Sequence, residues 1–156
     1  MPSRDKEFRA FLKAKLDPLP EKRQEAITKI NRRGLLMRLV RETDFPDSRL
    51  GAMKRLDTFD LRKASPEEKA FYLKIALNEN VTEIRLIAAK RIDSADRDKL
   101  TGSAFADVRL MVALNTSSRD TLLRLLLDPD TAVKTMAEKS LRKNGLQESS
   151  RPYSVN

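Results

Sequence analysis

Phe105-Ala106-Asp107-Val108-Arg109-Leu110-Met111-Val112-Ala113-Leu114 is the phrase on which the reading of this chain turns. A related phrase stands upstream as Val81-Thr82-Glu83-Ile84-Arg85-Leu86-Ile87-Ala88-Ala89-Lys90, and another downstream as Asp130-Thr131-Ala132-Val133-Lys134-Thr135-Met136-Ala137-Glu138-Lys139. The anchors Ile84, Val108 and Val133 are 24 and 25 positions apart, and each is followed at once by a long basic residue. A fixed period in this range marks stacked supersecondary units, each too small to bury its own apolar face. A weaker copy, Ser48-Arg49-Leu50-Gly51-Ala52-Met53-Lys54-Arg55-Leu56, lies 36 positions before its counterpart ending at Ile92, so the early units are longer or irregular.

The segments around these phrases read as short helices. Gly is scarce, strand-like alternation is absent, and apolar residues recur at steps of three and four. Ser3 caps a first helix from about Arg4 to Leu16, with Phe8, Phe11, Leu12 and Leu16 as its expected buried stripe. Asp17-Pro18-Leu19-Pro20 breaks it. A second helix carries Ile27 and Ile30 inward and is ended or bent by Gly34. Leu35, Leu36, Leu39 and Val40 form the next apolar face, and Phe45-Pro46-Asp47 feeds a helix to about Leu56. Ser65-Pro66-Glu67-Glu68 is a strong helix start, for a helix to about Leu77 that buries Phe71 and Ile75. Asp93 and Ser94 open a small helix through Leu100, Ser117 or Ser118 caps one through Leu127, and Asp128-Pro129-Asp130 caps a last one that stops near Gly145. The expected organisation is one helical domain over 1–145, with irregular basic helices over 1–64, regular units over 65–145, and a disordered tail over 146–156.

The stretch from about Leu77 to Leu141 resembles the HEAT-like repeat group, most closely the subgroup called leucine-rich repeat variant. Asp128-Pro129-Asp130-Thr131-Ala132-Val133-Lys134 carries the likeness best, with its leading loop, small residues and Val-basic step. The resemblance implies an all-α, right-handed α-solenoid, a superhelix of short α and 3-10 helices with a concave interaction face. Some relatives hold an iron–sulfur cluster on cysteines. This chain has no cysteine, so no cofactor is carried over. Other HEAT-like proteins are DNA alkylation-repair glycosylases, which use an aspartate beside tryptophans. This chain has no Trp.

Composition narrows the chemistry. With neither Cys nor His, there is no thiol nucleophile, no imidazole base and no metal site of the usual ligand set. Asp93, Asp96 and Asp98 cluster, as do Asp128 and Asp130, but helix capping accounts for those that precede helices, and no partner base or phosphate loop accompanies them. No catalytic residue is assigned. The apolar runs are too short to span a bilayer, and the lack of cysteine fits a reducing, cytoplasmic setting.

The net charge of +9 is unevenly spread. Residues 1–40 hold 11 basic and 5 acidic side chains, residues 41–130 hold 16 of each, and residues 131–156 hold 5 and 2. Two candidate anion-binding features follow. Lys22, Lys29 and Arg33 share a helix side, Arg32, Arg38 and Arg41 add to them, and no acid occurs between Arg32 and Arg41. Arg49, Arg85, Arg109 and Lys134 occupy equivalent positions. They form either a ladder that tracks phosphates or a set of bridges to loop acids such as Asp107 and Asp130. The expected function is a non-enzymatic binding protein with a protein partner, and the alternative is a DNA- or RNA-binding module. Nothing in the sequence sets the oligomeric state.

Overall fold

The computed structural model describes residues 3–145, and the expected tail over 146–156 lies outside them. The described residues are all-α, without strands. They form α1 (Arg4–Leu16), α2 (Pro20–Thr28), α3 (Arg33–Glu42), α4 (Pro46–Leu56), α5 (Pro66–Asn78), α6 (Thr82–Lys90), α7 (Ala106–Asn115), α8 (Arg119–Leu125) and α9 (Thr131–Lys143), with 3-10 turns at Leu61–Lys63 and Arg97–Gly102. No described helix is long and apolar enough to cross a membrane.

Helix starts follow the expected chemistry. Ser3, Ser65 and Ser118 each accept the N–H three residues on, and Asp130 accepts from Ala132 and Val133. These bonds satisfy amides that a helix cannot pair internally. Pro occupies the first position of α2, α4 and α5, where its missing N–H costs nothing. Past α9, Gly145 takes φ 63°, the left-handed conformation that suits glycine after a helix end.

The chain divides into two compact units, Met1–Arg91 and Ile92–Asn156. In the first, helices pack in consecutive pairs, α1 on α2, α3 on α4 and α5 on α6, while α2, α4 and α6 lie side by side in that order. Phe11, Ile30, Leu36, Leu39, Met53, Leu56, Tyr72 and Ile84 fill its core. Gly51 of α4 stands close against side chains of α2. A Cβ there would stand 2.6 Å from Gln24 Oε1 and 2.9 Å from Ile27 Cδ1. In the second unit α7 packs on α9 and on the Arg97–Gly102 turn, and α8 packs on α9, around Leu100, Val108, Leu122, Val133 and Leu141.

The anchors Ile84, Val108 and Val133 are equivalent by position. Each is the third residue of its helix, and each is fully buried. Four expectations are corrected. The buried face of α1 is Glu7, Ala10, Phe11 and Ala14, and Phe8, Leu12 and Leu16 are exposed. Small alanines bring α1 close to its neighbours, and Glu7 is buried because Asn31 N–H and Arg32 Nε both reach its carboxylate at 2.9 Å. Ile75 is half-buried, its expected place taken by Tyr72. Gly34 neither ends nor bends α2 but is the second residue of α3, because the chain has already left α2 at Thr28. The small helix after Asp93 and Ser94 is a turn followed by the 3-10 segment Arg97–Gly102.

Candidate functional site

One local arrangement recurs before α2, α4, α6, α7 and α9. A side-chain oxygen of Asp17, Thr43, Glu79, Ser103 or Asp128 accepts the N–H two residues on, at 2.9, 3.3, 3.0, 3.1 and 2.9 Å respectively. That turn fixes the loop and aims the helix start. The fourth residue of each of these helices is basic: Arg23, Arg49, Arg85, Arg109 and Lys134. Arg23, Arg85 and Arg109 each donate Nη1 at 2.8 Å to the carbonyl six residues back.

In three of the five, the guanidinium also reaches a carboxylate at or just before the start of another helix. Arg23 Nη2 meets Asp47 Oδ1 at 2.9 Å, Arg49 pairs with Glu79, and Arg109 Nε meets Asp128 Oδ2 at 2.7 Å. The acid facing Arg109 is Asp128, while Asp130 is spent capping α9. The hydrogen bond from Arg109 holds the Asp128 carboxyl below its ordinary range, and Asp128 in turn raises Arg109. Burial pushes Asp47 up, but hydrogen bonds from Arg23 and Gln24 outweigh it and leave it lowered. Arg85 is buried against Glu79 O, Asn80 O and Thr82 Oγ1. Lys134 is exposed and acts on Asp128 only as a nearby charge. Arg23, Arg49 and Arg109 thus brace one helix start to another. Sequence reading missed Arg23. Its signal was the shared Asp-Pro step at Asp17-Pro18 and Asp128-Pro129, each one residue before the residue that caps the helix.

In the basic stretch from Arg32 to Arg41, Arg32 and Arg33 find acids on other helices and Arg38 finds one on its own. Arg32 pairs with Glu7 at 2.9 Å. Arg33 donates to Glu68 at 2.5 Å and to Asp60 O at 2.6 Å. Glu68 is buried and also accepts from Tyr72 Oη at 2.9 Å. Burial lifts the Tyr72 hydroxyl to about 12. Arg38 holds Glu42 at 2.6 Å and sits 4.9 Å from the Phe11 ring centre. Through that bond the Glu42 carboxyl falls to about 2. Arg41 lies 5.7 Å from the Phe71 ring centre with no carboxylate partner among the described residues. Arg32, Arg33, Arg38 and Arg41 line one open groove of about 460 Å³ with Lys63, Glu67 and Glu68. Lys22 and Lys29 lie elsewhere, on α2 and at its end.

A second groove, of about 290 Å³, runs between α1 and α2 and is lined by Lys6, Arg9, Ala10, Lys13, Glu25, Ala26 and Lys29. Lys6, Arg9 and Lys13 are exposed and make no ion pair among the described residues. Lys29 meets Glu25 at 3.4 Å on an exposed helix face. Phe8, Leu12, Leu16 and Leu19 add exposed apolar surface on and just after α1.

The acid clusters have local duties. Asp93 accepts Asp96 N–H at 3.1 Å, Asp98 accepts from Thr121 Oγ1, and Asp128 and Asp130 serve as above. Among the described residues no group of His, Cys, Asp and Glu side chains is placed to hold a metal ion. Comparison with protein-family models, curated proteins and solved structures finds no match to this chain.

Proposed function

We propose that this chain is a non-enzymatic docking protein: a HEAT-like α-solenoid whose helical surface receives a macromolecular partner, and that the partner is a protein. The observation that carries this reading is the internal engagement of Arg23, Arg49 and Arg109 by Asp47, Glu79 and Asp128. Arg23 and Arg109 are held by both a carbonyl and a carboxylate, and Arg49 by a carboxylate, which leaves these guanidinium groups few donors for phosphate. The exposed apolar side chains of α1 also favour a protein over a polyanion. We place the protein in the cytoplasm, where a chain free of cysteine loses nothing.

The second reading is a DNA- or RNA-binding module. It is favoured by the net charge and by Lys6, Arg9, Lys13 and Lys22, which make no ion pair among the described residues. Retention on duplex DNA across a salt series separates the two. Nucleic-acid binding depends on counterion release and falls steeply with salt. The protein-docking reading expects weak retention at physiological salt, with Arg109→Gln and Arg49→Gln leaving the salt slope unchanged. Tight retention whose slope drops in those variants overturns it.

A further inference from the structure

We propose that the groove between α1 and α2 receives an acidic amphipathic helix from a protein partner. This rests on the docking function above and gives that function a site and a ligand chemistry. In the first unit α2 packs on α4, and α4 on α6. The α4 side of α2 carries Arg23, Gln24 and Ile27, which engage Asp47 and approach Gly51. The groove lies on the opposite side, at Glu25, Ala26 and Lys29, where α2 meets α1 and no further helix is laid over the pair. It is the open edge of a row of helices, so a further helix is the shape that fits it.

The floor is Ala10 and Ala26, both buried and both without a side chain long enough to fill the space. Small residues let a helix backbone approach closely, and short apolar side chains can enter. The rim is basic. Lys6, Arg9 and Lys13 are spaced i, i+3 and i+7 along α1, so they form one row roughly 10 Å long at about 1.5 Å per residue. Lys29 stands across the groove, and Lys22, seven residues before it, falls on the same side of α2. Glu25 is the one acid among the lining residues, and Lys29 already meets it. Glutamates at spacings of three and four on an incoming helix would match this row.

Charge and shape exclude the rival occupants. A second copy presenting the same face would bring like charge against like charge. The lining holds no aromatic ring on which a base could stack. A flat lipid surface would touch the rim cations and leave the alanine floor empty.

The test uses the full chain and a fluorescein-labelled acidic amphipathic helix built from Glu, Ala and Leu, read by fluorescence anisotropy. A control peptide has every Glu changed to Gln. The proposal expects the acidic peptide to bind and the Gln peptide to fail. The triple variant Lys6→Glu, Arg9→Glu, Lys13→Glu should weaken binding by roughly tenfold or more, since each opposed charge adds repulsion. A variant with the same charge change in the second unit, Lys139→Glu, Arg142→Glu, Lys143→Glu, should bind as the unaltered chain does. Unchanged helicity by circular dichroism shows that both variants fold. Equal loss in the two variants means general attraction by net charge and overturns the site. So does preferential engagement of Lys6, Arg9 and Lys13 by duplex DNA or by phosphatidylserine vesicles. Capture of a nuclease-resistant protein partner that survives the α1 triple reversal overturns this site while leaving the docking function standing. Loss of all protein capture by the unaltered chain removes the docking function itself.

Discussion

Arg109 and Asp128 face each other in a two-point pair, Nε to Oδ2 at 2.7 Å and Nη2 to Oδ1 at 3.1 Å, while Arg109 Nη1 holds Ser103 O at 2.8 Å. One side chain thereby ties the loop before α7 to the loop before α9. Both partners are largely withdrawn from water, with side chains 13% and 5% exposed, so the pair is not a screened surface contact. Removing one member leaves a desolvated charge, which costs about 3 kcal/mol or more. Arg109→Leu should therefore destabilise the protein strongly in urea unfolding, and Lys134→Ala, at the equivalent but exposed position, should leave the midpoint unchanged. A double-mutant cycle with Asp128→Asn should show coupling of at least about 1 kcal/mol.

The same pair gives the acid side of the stability curve a direction. Asp128 has a lower pKa folded than unfolded, and so does Glu42, held by Arg38 at about 2. A lowered carboxyl contributes stability above its unfolded pKa and loses it as pH falls through the folded value. Stability should thus hold at neutral pH and decline from the ordinary carboxylate range, near 4.5 for Glu42, toward about 2. Asp128→Asn should flatten that decline, measured as urea midpoint against pH. An unaltered pH profile in the variant contradicts the assignment.

Gly51 provides a test of the α2–α4 contact. In a free helix, Ala for Gly gains about 1 kcal/mol. Here the new methyl would meet Gln24 and Ile27 inside normal contact distance. Gln24 is itself held to Asp47 O at 2.9 Å, so it has little freedom to move. Overpacking of this kind costs about 1–3 kcal/mol. Gly51→Ala should therefore lower the thermal midpoint, and a rise would show that the two helices stand further apart.

The face of α1 can be read by paired truncations. Phe11→Ala should cost about 3–5 kcal/mol, because it empties a filled core site. Leu16→Ala, at 64% exposure, should fall within about 0.5 kcal/mol. Comparable losses at the two positions would restore the stripe expected from spacing alone.

The helix boundaries were legible because their signals are local. Ser3, Ser65, Ser118 and Asp130 cap where a polar residue precedes a periodic segment, and Pro20, Pro46 and Pro66 begin helices. The three anchors were legible because each is the third residue of its helix and is buried there. The inward face of α1 was not. Its sequence offers two apolar stripes, and only the Glu7–Arg32 pair, 25 residues apart, selects the one that contains a carboxylate. The surroundings of the basic stretch over 32–41 were hidden for a similar reason. Glu42 follows it directly, but Glu7 and Glu68 come from α1 and α5, and charge counted along the chain does not see them. The row Lys6, Arg9 and Lys13 was visible as helical spacing but lay apart from the candidates singled out on the next helix.

The most direct measurement of the central proposal is affinity capture on the immobilised chain from its own cell extract, with and without nuclease, followed by mass spectrometry of what is retained. A docking protein for a protein partner predicts one retained protein at near-stoichiometric yield, unchanged by nuclease and released by the acidic helical peptide. Retained material that is nucleic acid, or protein that disappears once nuclease is added, would contradict it.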